Sequence, residues 1–293
     1  MTALSCSRTM GTMKKIKKPS TVKGRGTAKR WMRCITMTGE LKLTGIILSS
    51  VPVGDYDRSV SLLTCEKGRI SAFVRNARRS MSTLRAASMP FNYGKFTVYA
   101  SRDSYNINAC ENMIYFDGLS KDIEKMYYGM YFCELMKFFT RENSEEREQV
   151  KLLYTALKAL SDGRLAADFL RRIFELRALA NYGEAPNVFE CRICRKKTGT
   201  DSWVIEPKQG TVVCRECSGK TQMPGNTFRD AGLIAEAVRY AMSYSITSPY
   251  KTLFAFDLTP EYKKSFIGAV DECIKARVDK PLKTLELLEE MCG

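Results

Sequence analysis

The chain has 293 residues, eleven cysteines, no histidine and a formal net charge of +15, a length that suffices for two or three modest hydrophobic cores. No apolar run is long enough to span a bilayer and no leader-type hydrophobic stretch follows the start, so a soluble chain without a membrane partner is expected. Without histidine, general-base chemistry at neutral pH would have to rest on a perturbed carboxylate, lysine or cysteine; no such constellation, P-loop, dinucleotide turn or nucleophile elbow is present, and an enzyme is not expected.

Residues 1–39 hold ten Lys/Arg and no Asp/Glu, two thirds of the whole positive excess. Rich in Ser, Thr and Gly and without hydrophobic periodicity, this stretch is not expected to form a core. It reads as a basic arm for nucleic acid, an organelle-type transit sequence, or an over-long start with translation beginning at Met37; the last is preferred. An odd number of cysteines spread through helical and strand-like segments points to a reducing, cytoplasmic compartment.

From Leu41 onward short β-type runs appear at Leu43–Val51, Arg58–Cys65, Arg69–Arg75, Lys95–Ser101 and Ser104–Ala109. Five strands with a hairpin turn at Glu66-Lys67-Gly68, within residues 40–118, suit a small closed barrel of the OB type. Gly45 inside the first run predicts a bulge or bend. Between the third and fourth runs lie Arg75, Arg78, Arg79, Ser82 and Arg85, and no Asp or Glu occurs between Lys67 and Arg102. Forked guanidinium donors interleaved with hydroxyls on such a loop suit phosphate oxygens, whereas a solvated loop is the plain alternative. Phe91, Tyr93, Phe96 and Tyr99 are positioned either to stack bases or, the preferred reading, to fill the barrel.

Helical periodicity begins at Leu119. One stripe joins Leu119, Ile123, Met126, Tyr127, Met130, Tyr131, Leu135 and Phe138, a second Val150, Leu153, Leu157 and Leu160, and a third Phe169, Leu170, Ile173, Leu176 and Ala180. Gly183 sits where a helix C′ residue belongs, with Pro186 beyond it. Further helices are predicted at Asp230–Tyr244, at Pro260–Val278 with Thr259 as its cap, and over Lys280–Leu288.

Between these helices stands Cys191-Arg-Ile-Cys194, then nineteen residues, then Cys214-Arg-Glu-Cys217. Two such knuckles place four thiolates on one tetrahedral ion, as in zinc ribbons, with Asp201–Ile205 and Gln209–Val213 as the ribbon strands. A catalytic zinc keeps an open position for water; four sulfurs leave none, so one structural Zn2+ is expected, with a redox dithiol as the alternative. Bound metal would subtract two charges from residues 189–224, which hold seven basic and four acidic side chains, leaving the ribbon nearly neutral. The expected organisation is therefore α+β: tail 1–39, OB-fold barrel 40–118, helical domain 119–188 and 225–293, and an inserted four-cysteine zinc ribbon 189–224.

This order of parts resembles the RecO family of bacterial DNA-repair proteins. The likeness runs from about Leu43 to Leu288 through Thr44–Leu48, Thr64–Ala72, the Arg75–Arg79 cluster with Ser82, Met89-Pro90-Phe91, Phe174–Arg177 to Pro186, the cysteine quartet and the closing Leu282–Leu288. The resemblance implies a non-enzymatic recombination mediator that binds single- and double-stranded DNA and anneals complementary strands. It also implies that the protein helps RecR load RecA onto DNA coated by single-stranded-DNA-binding protein, in the cytoplasm at the nucleoid. Asn76 and Met81 depart from the family's usual glycine and lysine; asparagine tolerates the positive φ of such a turn, while Met81 removes a phosphate contact. Two rival classes are a zinc-ribbon hydrolase, which would need clustered acidic residues, and an adaptor binding RNA or protein in transcription or translation.

Overall fold

The computed structural model describes residues 39–101, 104–220 and 232–292; the basic tail and Asp230 lie outside them. Aliphatic and β-branched residues at alternate positions build five strands, β1 (Glu40–Val53), β2 (Asp57–Thr64), β3 (Gly68–Val74), β4 (Tyr93–Ala100) and β5 (Tyr105–Ile114), with a short helix α1 (Leu84–Ala87) before β4. They close into a barrel in the order β1-β2-β3-β5-β4, antiparallel except where β3 meets β5. Along β3, Ile70, Ala72 and Val74 turn inward, while Ser71 and Phe73 face out. Ile47, Leu62, Phe96 and Val98 complete the interior, so the preferred core role for Phe96 is the observed one. A small closed five-stranded barrel of this kind is the expected OB-type fold.

The expected bulge at Gly45 is displaced. Gly45 keeps its ladder partners, Thr64 on β2 and Gly94 on β4, and the register shifts instead between Ile47 and Ser49. Glycine is needed at position 45 because a Cβ there would lie 2.1 Å from the Leu63 carbonyl oxygen. Gly45→Ala is expected to cost about 1–3 kcal/mol, the range for forcing atoms into a packed site. Thermal unfolding checks this, and an unchanged midpoint would mean that the two strands part without penalty.

Because side chains alternate along a strand, Ile47 enters the barrel while Ile46 and Leu48 join Leu63 in the larger core shared with the helices. That core is built from α2 (Asp117–Ser120), α3 (Ile123–Phe139), α4 (Arg147–Asp162), α5 (Ala167–Tyr182), α7 (Glu236–Thr247), α8 (Pro260–Lys275) and α9 (Lys283–Cys292), with α6 (Arg215–Lys220) beside the cysteines. The turn at Gly68 ties the barrel to the segment between α3 and α4: Arg69 N–H donates to the Arg141 carbonyl at 2.9 Å and Asn143 N–H to the Lys67 carbonyl at 2.9 Å. Here φ at Gly68 is +66°, and a Cβ would meet Arg141 O at 2.0 Å.

The stripes expected on α4 and α5 are buried, apart from half-buried Ala180, and Gly183 ends α5 in the left-handed conformation at φ +88°. On α3 the expected stripe is partly wrong. Ile123 and Met130 are 62% and 39% exposed, and Tyr128, Phe132, Met136 and Phe139 join Tyr131 and Leu135 inside. Apolar residues cover nearly the whole circumference of this helix, so periodicity alone could not choose its inward face. Residues Leu233–Ala235 form strand β9 and the helix begins at Glu236, later than the sequence suggests. Thr259 holds the N-cap position of α8 but its hydroxyl makes no capping bond; its carbonyl accepts from Lys263 N–H.

Candidate metal centre and nucleic-acid interface

The cysteines sit on a second sheet formed by β6 (Asn187–Cys191), β7 (Ser202–Glu206), β8 (Thr211–Cys214) and β9, in the order β6-β8-β7-β9. Valine, isoleucine and tryptophan at the inner positions of β7 and β8 bury Trp203, Ile205, Val212 and Val213. The first knuckle closes by hydrogen bonds from Arg195 N–H to the Cys191 carbonyl and from Cys191 N–H to the Lys196 carbonyl, with Arg195 at φ +61°. The second turns from β8 directly into α6.

All four sulfurs, of Cys191, Cys194, Cys214 and Cys217, lie within 4.8 Å of one another. The Sγ atoms of Cys194 and Cys214 are 3.7 Å apart, close to the roughly 3.8 Å edge of a tetrahedron with 2.3 Å metal–sulfur bonds. None of the four is in a disulfide. Burial opposes ionisation of Cys191, yet the backbone N–H groups of Cys194, Cys214 and Ile193 draw its pKa down to about 6. Cys214 and Cys217 are pushed up, Cys217 to about 12, by desolvation and by hydrogen bonds shared with the neighbouring sulfurs. Four sulfurs this close repel one another when ionised, and a bound cation offsets that repulsion. Lys196 pairs with Glu216 at 2.9 Å, bridging the two knuckles.

The ribbon is anchored to α7 by a clasp that the sequence does not reveal. Buried Trp203 donates its indole N–H to Glu236, the Arg239 guanidinium lies 4.8 Å over the Trp203 ring, and Arg239 donates to Glu236 and to the Val188 carbonyl at 2.7 Å. A hint in the sequence is Trp203 itself, a large side chain with an N–H donor between the two knuckles.

The second expected site is the loop between β3 and α1. Ala77 is buried in the barrel core and pins it; Asn76, at φ +55°, makes the turn as expected of asparagine. Arg75, Arg78, Arg79 and Arg85 are exposed, and none forms an ion pair among the described residues. They are not wholly unengaged, however. Arg78 donates to the Gly54 carbonyl at 3.1 Å, and the Arg79 guanidinium lies 4.8 Å over the Tyr56 ring. The Ser82 hydroxyl accepts from Leu84 N–H at 3.3 Å, and Met81 is 92% exposed. Of the aromatics considered for stacking, Tyr93 packs on Tyr154 and Tyr99 donates to Glu40, so both are engaged away from the arginine loop.

Among the described residues no helix is long and apolar enough to cross a membrane. The family model described as "Recombination protein O N terminal" matches residues 37–116, and that described as "Recombination protein O C terminal" matches residues 120–286. The chain is 26% identical over 251 residues to the DNA repair protein RecO of Acetivibrio thermocellus, covering 86% of this chain and 97% of the relative. It is 27% identical over 250 residues to that of Clostridium kluyveri, covering 85% and 93%. It is 32% identical over 173 residues to that of an Exiguobacterium species, covering 59% and 68%. With both halves of the family pattern matched in order over the barrel and the helices, the chain belongs to the recombination protein O, or RecO, family.

Proposed function

We propose that this protein is a DNA-repair mediator that works by binding and pairing DNA strands, without bond-breaking chemistry of its own. The observation that carries the reading is the arginine loop: four exposed guanidinium groups without carboxylate partners among the described residues, on a segment pinned to an OB-type barrel. An Arg keeps spare N–H donors even when one is engaged, so Arg78 remains able to fork onto a phosphate. Arg75, Arg78, Arg79 and Arg85, with Ser82 shaping the loop, take the backbone of single- and double-stranded DNA, and phosphate contacts of this kind hold any sequence. In this reading the protein anneals complementary strands and, with RecR, assists RecA loading on DNA coated by single-stranded-DNA-binding protein, in the cytoplasm at the nucleoid. Cys191, Cys194, Cys214 and Cys217 hold one Zn2+, whose contribution is folding energy for the ribbon; soft thiolate donors favour it over hard cations.

Replacing Arg78 and Arg79 together by alanine is expected to weaken binding to all DNA sequences equally. The salt slope should fall by about 0.7 per lost contact on single strands and about 0.9 on duplex, with zinc content and thermal midpoint near wild type. Fluorescence anisotropy across a salt series measures this. Unchanged affinity and slope would show that the arginines are a solvated face, and equal competition by RNA of the same sequence would favour the RNA-adaptor reading.

A further inference from the structure

The turn joining β1 to β2 runs through Gly54, Asp55 and Tyr56, and it ends the hairpin in apolar side chains that have no core to enter. Tyr56 is 51% exposed, and Val51 and Val53 beside it are 59% and 40% exposed. An isolated exposed aliphatic residue needs no explanation, but an aromatic tip held in one place by polar contacts does.

The loop after β3 grips this turn. Arg78 N–H donates to the Tyr56 carbonyl at 2.9 Å, the Arg78 guanidinium donates to the Gly54 carbonyl at 3.1 Å, and Asn76 N–H donates to the Asp57 carboxylate at 2.8 Å. The Arg79 guanidinium then lies over the ring, 4.8 Å from its centroid. The cation takes one ring face, and about half of the Tyr56 surface remains exposed to solvent. On the adjoining strand Phe73 turns outward, 39% exposed, opposite Ser59 and two residues before Arg75. OB barrels present the surface of strands 2 and 3 and the loop between strands 1 and 2 to oligonucleotides, and this is where Phe73 and Tyr56 stand.

We propose that Tyr56, backed by Arg79, is a platform on which an unpaired base stacks, with Phe73 as a second ring along the strand. The inference rests on the reading that the barrel binds DNA, and it adds how single strands are told from duplex. Arginines contact phosphates in either form, whereas a ring face is available only to a base whose own face is free. In a duplex that face is already stacked on its neighbours. The guanidinium on the far side holds the tyrosine ring in one plane, so little ordering remains to be done when a base arrives.

The test is binding of the full chain to fluorescein-labelled oligothymidylate and to a duplex of the same length, for the wild type, Tyr56→Ala and Tyr56→Phe. Tyr56→Ala is expected to weaken single-strand binding about tenfold, the scale of one lost base–aromatic stack, while duplex affinity and both salt slopes stay unchanged; Tyr56→Phe keeps the ring and should bind as wild type. Wild-type single-strand affinity in Tyr56→Ala would overturn the platform and leave the DNA-binding reading intact. Equal losses on single strand and duplex would also overturn it, because Tyr56 would then serve only to hold Arg79. A wild-type chain that binds neither probe would overturn the DNA-binding reading and the platform together.

Discussion

Cys214→Ser is expected to yield a chain with well under one equivalent of zinc and an unfolded ribbon. Removing one of four thiolates leaves a site that binds the ion weakly, and structural zinc supplies roughly 10–16 kcal/mol of apparent folding free energy in small finger domains. Its interior, Trp203, Ile205, Val212 and Val213 with the two buried cysteines, is continuous with the core of the helices, but the knuckles themselves are polar and exposed turns that the ion would hold. The barrel interior is a separate cluster, so the loss should spare the barrel and be felt in the ribbon and the helices packed on it. Trp203 is one of two tryptophans in the chain and is fully buried, and its release to water should shift the emission to the red. Metal analysis and tryptophan emission measure the two effects, and treatment of the wild type with a strong chelator should reproduce them. A Cys214→Ser chain with full zinc and an unshifted spectrum would refute a four-sulfur site.

Glu175→Ala should be strongly destabilising in the helical core. Glu175 is fully buried on α5 and accepts from the Tyr131 hydroxyl at 2.6 Å and from Arg172 at 2.8 Å, with Arg171 at 3.4 Å. Arg172 also reaches Asp271 on α8 at 2.7 Å, so the carboxylate sits at the junction of three helices. Burial, and then the charge on Glu175, hold the Tyr131 hydroxyl far above its usual pKa, so it stays a proton donor. Truncating the acid leaves Arg171 without its carboxylate, leaves Arg172 with Asp271 alone, and opens a cavity, a loss of about 3–5 kcal/mol for breaking a buried pair. For a chain of this size that corresponds to a fall of roughly 10 °C in thermal midpoint. Tyr131→Phe, which removes one donor, should cost only about 1–2 kcal/mol. Equal midpoints for Glu175→Ala and wild type would mean that the cluster is energetically idle.

The parts of the molecule legible in the sequence are those set by local chemistry. Cysteine spacing located the four sulfurs, alternation located the barrel strands, and the Glu66-Lys67-Gly68 turn and the Gly183 stop follow from backbone preference. What was hidden depends on neighbours distant in sequence. Gly45 looks like a bend and is a close strand approach, because the Leu63 carbonyl that forbids a side chain lies on another strand. The clasp of Trp203, Glu236 and Arg239 joins residues more than thirty positions apart. The aromatic under the arginine loop is likewise Tyr56, contributed by the preceding hairpin rather than by the aromatic-rich stretch that follows the loop in sequence.

The four-stranded sheet under the cysteines has its outer strands in the connections themselves: β6, which ends at Cys191, leads in from α5, β9 leads out to α7, and β8 and β7 lie between them. The ribbon therefore cannot be handled as a removable cassette. A chimera that exchanges residues 189–224 between relatives would cut β6 in two and leave the recipient's β9 to pair with a foreign β7. Splices placed before Asn187 and after Ala235 carry the whole sheet, but they also separate Trp203 from Glu236 and Arg239 unless the donor's α7 travels with it. The natural unit of exchange is the sheet together with the helix that follows it, because Trp203 and its partners Glu236 and Arg239 then travel together.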